Sequence, residues 1–159
     1  MSERIPMTPA GYQKMVAEFK HIREVVRPQI VRDIEEAREH GDISENAEFE
    51  DAKERQAHTE GKVRELEYRI ALAEVVDVSK LVPSDLVVFG TTVDIEDEDS
   101  EEKLTYRIVG LEEANVRAGL ISYSSPIGKA LLGRKVGDAV RFETPKGTRT
   151  VIINAVLYR

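Results

Sequence analysis

The stretch REHGDISENAEFEDAKE, Arg38 to Glu54, decides how the first half of this chain is read. It holds seven carboxylates and, with His40 counted, three basic side chains. Gly41 breaks helix near its front, and only Ile43 and Phe49 supply apolar bulk. On either side the apolar residues recur at helical spacing. Ahead of it Tyr12, Met15, Phe19, Ile22 and Val26 stand three and four positions apart, one seam of a heptad pattern. After Pro28 the seam resumes at Ile30, Ile34 and Ala37. Thr8 and Pro9 read as an N-cap followed by proline at the first helical position. Pro28 lacks an N–H and crowds the turn before it, so a bend is expected there. Gly41 suits the C-terminal cap, where a left-handed conformation is cheap for glycine. Behind the stretch a second seam runs Phe49, Ala52, Gln56, Thr59, Val63, Leu66, Ile70, Ala73, weakened in its middle by Gln56 and Thr59.

Two long helices joined by a short turn bury both seams only by lying antiparallel. The reading is therefore a coiled-coil hairpin. Arms of about 30 residues at roughly 1.5 Å each make it on the order of 45 Å long, with the quoted stretch at its tip.

Around Val75 the period changes. The segment from Val75 to Ile95 is rich in valine and punctuated by Pro83, Ser84 and Gly90. Strands are expected at Leu86–Phe89, Thr91–Ile95, Leu104–Val109, Ala139–Phe142 and Thr148–Val156. Glu96–Glu102, EDEDSEE, has the character of a solvated hairpin loop. Ser125–Gly133, SPIGKALLG, reads as a short helix opened by Ser-Pro and closed by glycine. The fold class is α+β: residues 1–76 form the hairpin with its acidic tip, 77–84 a linker, and 85–159 an antiparallel β domain with one short helix.

Composition narrows the function. An apolar fraction of 41% permits real cores, while 33% charged residues and a net charge of −7 require large solvated faces. Without cysteine there are no disulfides and no Cys-based zinc sites, which suits a reducing cytoplasm. No long apolar run occurs, and the N-terminal residues lack the apolar centre of a signal peptide. A cytoplasmic protein with no membrane role is expected. The window 33–54 carries ten acids against Arg38 and Lys53, a surface that repels bare nucleic acid.

The acidity has a plain explanation and a functional one. Asp42 and Glu45, three apart, form a capping-box-like pair, and negative charge near a helix N-terminus gains roughly 0.3–1 kcal/mol per group. A helix needs one cap and one partner, however, not ten carboxylates. Asp and Glu oxygens suit Mg²⁺, which takes one or two carboxylates and completes its shell with waters and phosphate oxygens. Such a pair is an incomplete site, useful where another macromolecule supplies the remaining ligands. No free-standing active site is legible. His21, His40 and His58 lie in the helical half without a nucleophile, and no phosphate-cradling glycine loop occurs.

Three blocks in order carry a resemblance: IPMTPAGYQKM (Ile5–Met15), EAREHGDISENAEFEDAKE (Glu36–Glu54) and LISYSSPIGKALLGRKVGD (Leu120–Asp138). Together they resemble the Gre family of bacterial transcript cleavage factors, on its GreA-like side, since the hairpin lacks a larger basic cluster. The resemblance implies a C-terminal domain of FKBP-like fold that docks on the rim of RNA polymerase. It implies a finger that enters the secondary channel and a tip whose carboxylates, here Asp42 and Glu45, help hold a second Mg²⁺ and a water. The polymerase then cleaves backtracked RNA, so the protein is not itself an enzyme. Ser44, Asn46 and Glu48 would support the tip. Arg38 and Lys53 would stand near the nascent RNA 3′ end, or alternatively pair within the helix, Lys53 with Glu50. Phe49 is either an aromatic beside the RNA base or the first core contact behind the turn. Ser125, Pro126, Ile127, Lys129 and Leu132 would dock the polymerase, although Ile127, Leu131 and Leu132 can equally pack the short helix on the sheet. A monomer is expected. Two rivals remain. One is a channel-binding inhibitor of the same fold. The other is a peptidyl-prolyl isomerase, whose aromatic pocket would have to come from Phe89, Tyr106, Tyr123, Phe142 and Tyr158.

Overall fold

The structure, a computed structural model, describes residues 3–41 and 46–159. It divides into a helical unit, Tyr12–Leu72, and a sheet unit made of Glu3–Gly11 with Ala73–Arg159. The α+β class is the one expected.

In the helical unit, α1 (Pro9–His21), a wide turn (Ile22–Val26) and α2 (Arg27–Glu39) form the first arm, and α3 (Ala47–Leu72) the second. The wide turn is π-helical: Arg27 N–H reaches back five residues to the Ile22 carbonyl. Pro28 follows directly, in the first turn of α2. The irregularity expected at the proline thus lies ahead of it, where the backbone widens to accommodate a residue that cannot donate. Cross-arm partners run in opposite directions. Arg27 meets Glu60, Asp33 meets Arg55 and His40 meets Glu48, so the arms are antiparallel. The two seams supply the burial. Met15, Ile22, Ile30, Ile34 and Ala37 from one arm and Ala52, Thr59, Val63 and Leu66 from the other are buried.

In the sheet unit, β3 (Thr92–Asp97), β4 (Lys103–Val109), β5 (Leu120–Ser122), β6 (Ala139–Thr144) and β7 (Gly147–Leu157) form one sheet in the order β5-β4-β3-β7-β6. All its pairings are antiparallel except β4 with β5. Its core collects Val93, Ile95, Ile108, Ile121, Val140, Val151 and Ile153, with Leu131 from α4 (Pro126–Leu131). The alternation of buried and half-buried residues along β3 is the period-2 signature of a strand covered on one face.

One expectation needs correction. Leu86–Phe89 is not a strand. Leu86 makes an isolated bridge with Lys135, and Val87 exchanges backbone hydrogen bonds with Arg134 and Gly133. Its apolar run reflects burial, Val87 being 1% exposed, rather than a place in the ladder. Conversely β5 was not anticipated, because three residues are too few to display a period. A second sheet was also invisible in the pattern: β1 (Ile5–Met7) pairs in parallel with β2 (Ala73–Val75), Ile5 against Ala73 and Met7 against Val75.

Among the described residues no helix is long and apolar enough to cross a membrane.

Candidate functional site

The connection between α2 and α3 carries the acidic block. Asp42, Ser44 and Glu45 lie outside the described residues, so the site is built from its flanks. On the near side α2 ends at Glu39, and Gly41 takes φ +117, the glycine-favouring region that a helix exit uses. On the far side Asn46 begins α3. Its Oδ1 accepts from the N–H groups of Glu48 at 3.1 Å and Phe49 at 3.2 Å, the work of an N-cap. Its Nδ2 donates to the carbonyl of Ala37 in the last turn of α2, which also accepts the His40 N–H at 3.3 Å. One side chain therefore ties the C-terminus of one helix to the N-terminus of the next. Beside it His40 Nδ1 lies 3.0 Å from Glu48 Oε2, a second brace between the same two ends.

Phe49 is half-buried against Ile30, Ile34 and Ala52. It is the first core contact behind the turn, and this position favours that alternative over an RNA contact. Lys53 Nζ donates to Gln56 Oε1 at 3.3 Å rather than pairing with Glu50. Arg38 is exposed and unpaired among the described residues. Farther back, Arg55 sits between Asp33 at 3.0 Å and Asp51 at 3.1 Å. The Gln29 amide and the Arg55 guanidinium hold the Asp33 carboxyl below its ordinary range. Arg27 grips Glu60 with two nitrogens at 2.8 and 2.6 Å. Around the connection Glu35, Glu36, Glu39, Glu48, Glu50, Asp51 and Glu54 are all exposed.

The second candidate surface is α4. Ser125 caps it, its Oγ accepting from Gly128 N–H at 3.1 Å and donating to the Ser122 carbonyl at 2.7 Å. Gly128 has no room for a side chain, because a Cβ would stand 2.1 Å from that same carbonyl. Leu131 is fully buried, and Ile127 and Leu132 pack half-buried on the sheet core. Pro126 and Lys129 remain exposed.

The His40–Glu48 brace and the Arg27–Glu60 and Arg55–Asp33 pairs were not foreseen. Each joins residues whose numbers sum to 87 or 88, so fixing the hairpin register would have found all three.

Two family models cover the chain: transcription elongation factor, N-terminal, over residues 5–75, and transcription elongation factor, GreA/GreB, C-terminal, over residues 82–158. The chain belongs to the GreA/GreB family. Full-length relatives agree. The transcription elongation factor GreA of Rhodospirillum rubrum is 51% identical over 98% of this chain and 99% of its own. That of Rickettsia canadensis is 48% identical over 100% of this chain and 98% of its own. Among solved structures, the GreA factor homolog 1 (Gfh1) protein of Thermus thermophilus matches at 31% identity over 97% of this chain and 99% of its own, with a TM-score of 0.43. The GreA/GreB assignment makes this chain a bacterial transcription elongation factor. Its N-terminal match takes in β1, both helical arms and β2 as one block.

Proposed function

We propose that this protein binds RNA polymerase and passes its hairpin into the secondary channel. There it stimulates the polymerase's own Mg²⁺-dependent cleavage of backtracked nascent RNA, so that arrested transcription resumes. The observation that carries this reading is full-length membership of the GreA/GreB family in a chain that keeps two carboxylates, Asp42 and Glu45, at the connection of its antiparallel helices.

The donor chemistry fits the ion only in part. Carboxylate oxygens suit Mg²⁺, but two of them leave most of an octahedral shell unfilled. Among the described residues no group of three His, Cys, Asp or Glu side chains is placed to hold a metal. Asp42 and Glu45 would hold the ion jointly with polymerase carboxylates and an RNA phosphate. When bound, the metal activates the attacking water or stabilises the leaving oxygen. Asn46 and the His40–Glu48 brace tie together the two helix ends that flank this connection. Arg38 and Lys53, both exposed, would face the nascent RNA 3′ end. Pro126 and Lys129 would meet the polymerase rim, on a helix that Ser125, Ile127 and Leu132 seat on the sheet.

Purified polymerase stalled on a backtracked template tests this directly. Adding the protein with Mg²⁺ should shorten the RNA, and the Asp42→Ala and Glu45→Ala forms should bind as before yet leave it intact. If the unaltered protein binds but the RNA stays full-length, the inhibitor reading replaces this one.

A further inference from the structure

The hairpin seam is weakest in its middle. Where Val63 and Leu66 fill the space farther along α3, the equivalent positions here hold Gln56 and Thr59. Thr59 is buried beside Ile30, but it is too small to close the gap between the arms. A cleft of about 530 Å³ opens on one side of this contact, and one of about 260 Å³ on the other. The larger cleft is lined by the apolar Val26 and Ile30 beside the buried Thr59, with Val25 at its edge, 52% exposed. Its rim carries Asp51 and Glu54 beside Arg55 and His58. Arg55 is already held between Asp33 and Asp51. Glu54 is exposed and has no partner among the described residues.

An apolar lining beside a net acidic rim restricts the occupant. RNA is disfavoured, since its phosphates would face Asp51 and Glu54 at the rim. A second copy of this chain would bring the same acids to the same rim, and like charges opposed across an interface are unfavourable. A basic polypeptide segment that offers one large apolar side chain satisfies both the lining and the rim. We propose that this cleft docks such a segment of the polymerase, lining the path the hairpin takes; the inference rests on the functional reading above.

The test uses the full chain with purified polymerase. A photo-crosslinking phenylalanine analogue at the exposed His58 position should yield an adduct with a polymerase peptide that contains Lys or Arg next to an apolar residue. Val25→Glu should weaken polymerase binding about tenfold by burying a carboxylate against the apolar lining. Glu54→Lys should weaken it about threefold to tenfold at low salt, with the deficit shrinking as ionic strength rises. Both positions are exposed, and matching thermal melts would show that each variant folds. An adduct with a second copy or with RNA overturns the proposal, as do variants that bind like the unaltered protein. If the unaltered protein itself fails to bind polymerase, the functional reading falls and takes this inference with it. If it binds and cleaves while the variants are indistinguishable from it, only the cleft assignment falls.

Discussion

Asp97 is an acid that this fold uses for structure. It is 6% exposed at the end of β3. Its Oδ1 accepts from the N–H groups of Asp99 at 2.9 Å and Ser100 at 3.0 Å, closing the EDEDSEE loop. Its Oδ2 takes Arg149 Nε at 2.8 Å and Nη2 at 2.7 Å. Every one of these contacts favours the ionised form, and they lower its pKa from 3.8 to about 2, the Ser100 N–H contributing most. The folded state thus binds fewer protons than the unfolded chain. The stabilisation is complete above the unfolded pKa and is lost as pH falls from about 4 through about 2. Asp97→Asn should therefore lower the urea midpoint at pH 7, with the gap to the unaltered protein closing between pH 5 and pH 2. A gap independent of pH would mean that the charge is not the source. The sequence allowed EDEDSEE to be read as a solvated loop, and Glu98–Glu102 are exposed. What it concealed was that one of these acids turns inward, because Arg149 is distant along the chain and only the β3–β7 pairing brings it close.

At the scale of elements, the helical unit was the more legible. Heptad spacing in one dimension maps directly onto burial, so every residue of the second seam from Phe49 to Ala73 is buried or half-buried. The seam narrows toward the connection, where Ala37 and Ala52 are 2% and 0% exposed. Small side chains there let the arms approach and leave no room for growth. Ala52→Leu should destabilise the unit by about 1–3 kcal/mol through overpacking, measured by chemical unfolding. A neutral result would show slack in the packing. The Arg27–Glu60 pair, with side chains 39% and 36% exposed, should contribute only about 0.5 kcal/mol in a double-mutant cycle, diminishing in high salt. Strands were harder to read than helices. Leu86–Phe89 looks like a strand because core burial and ladder membership produce the same apolar run. For the candidate site, residue types pointed to Asp42 and Glu45. Asn46 is expected there as a support of the tip, but its partner is not legible in the sequence, since the clasp depends on where Ala37 stands in space.

For the molecule as a whole, Glu3–Thr8 belong with the sheet unit and not with the helix they precede. Val76 N–H donates to the Met7 carbonyl at 2.9 Å, extending the β1–β2 pairing. Glu113, in the turn after β4, accepts from Thr8 N–H at 3.1 Å, from the Thr8 hydroxyl and from Gly110 N–H at 2.9 Å. Gly11 makes room for that carboxylate. A Cβ there would stand 2.3 Å from Glu113 Cδ. Gly11→Ala should displace the carboxylate and cost about 1–3 kcal/mol as buried donors lose their acceptor, seen as a lower melting temperature that Glu113→Gln partly reproduces. An unchanged melt would make the clasp dispensable. None of this was visible to periodicity, because a three-residue parallel pair leaves no rhythm in a sequence.

The parallel pairing of β1 with β2 also makes Tyr12–Leu72 a cassette spliced into a module built from Glu3–Gly11 and Ala73–Arg159. A short linker of glycines and serines from Gly11 to Ala73 would take its place. Excising the cassette in this way should leave a miniature that still melts cooperatively, whereas a fragment beginning at Asp77 would lack both the Met7 strand and the Thr8 partner of Glu113.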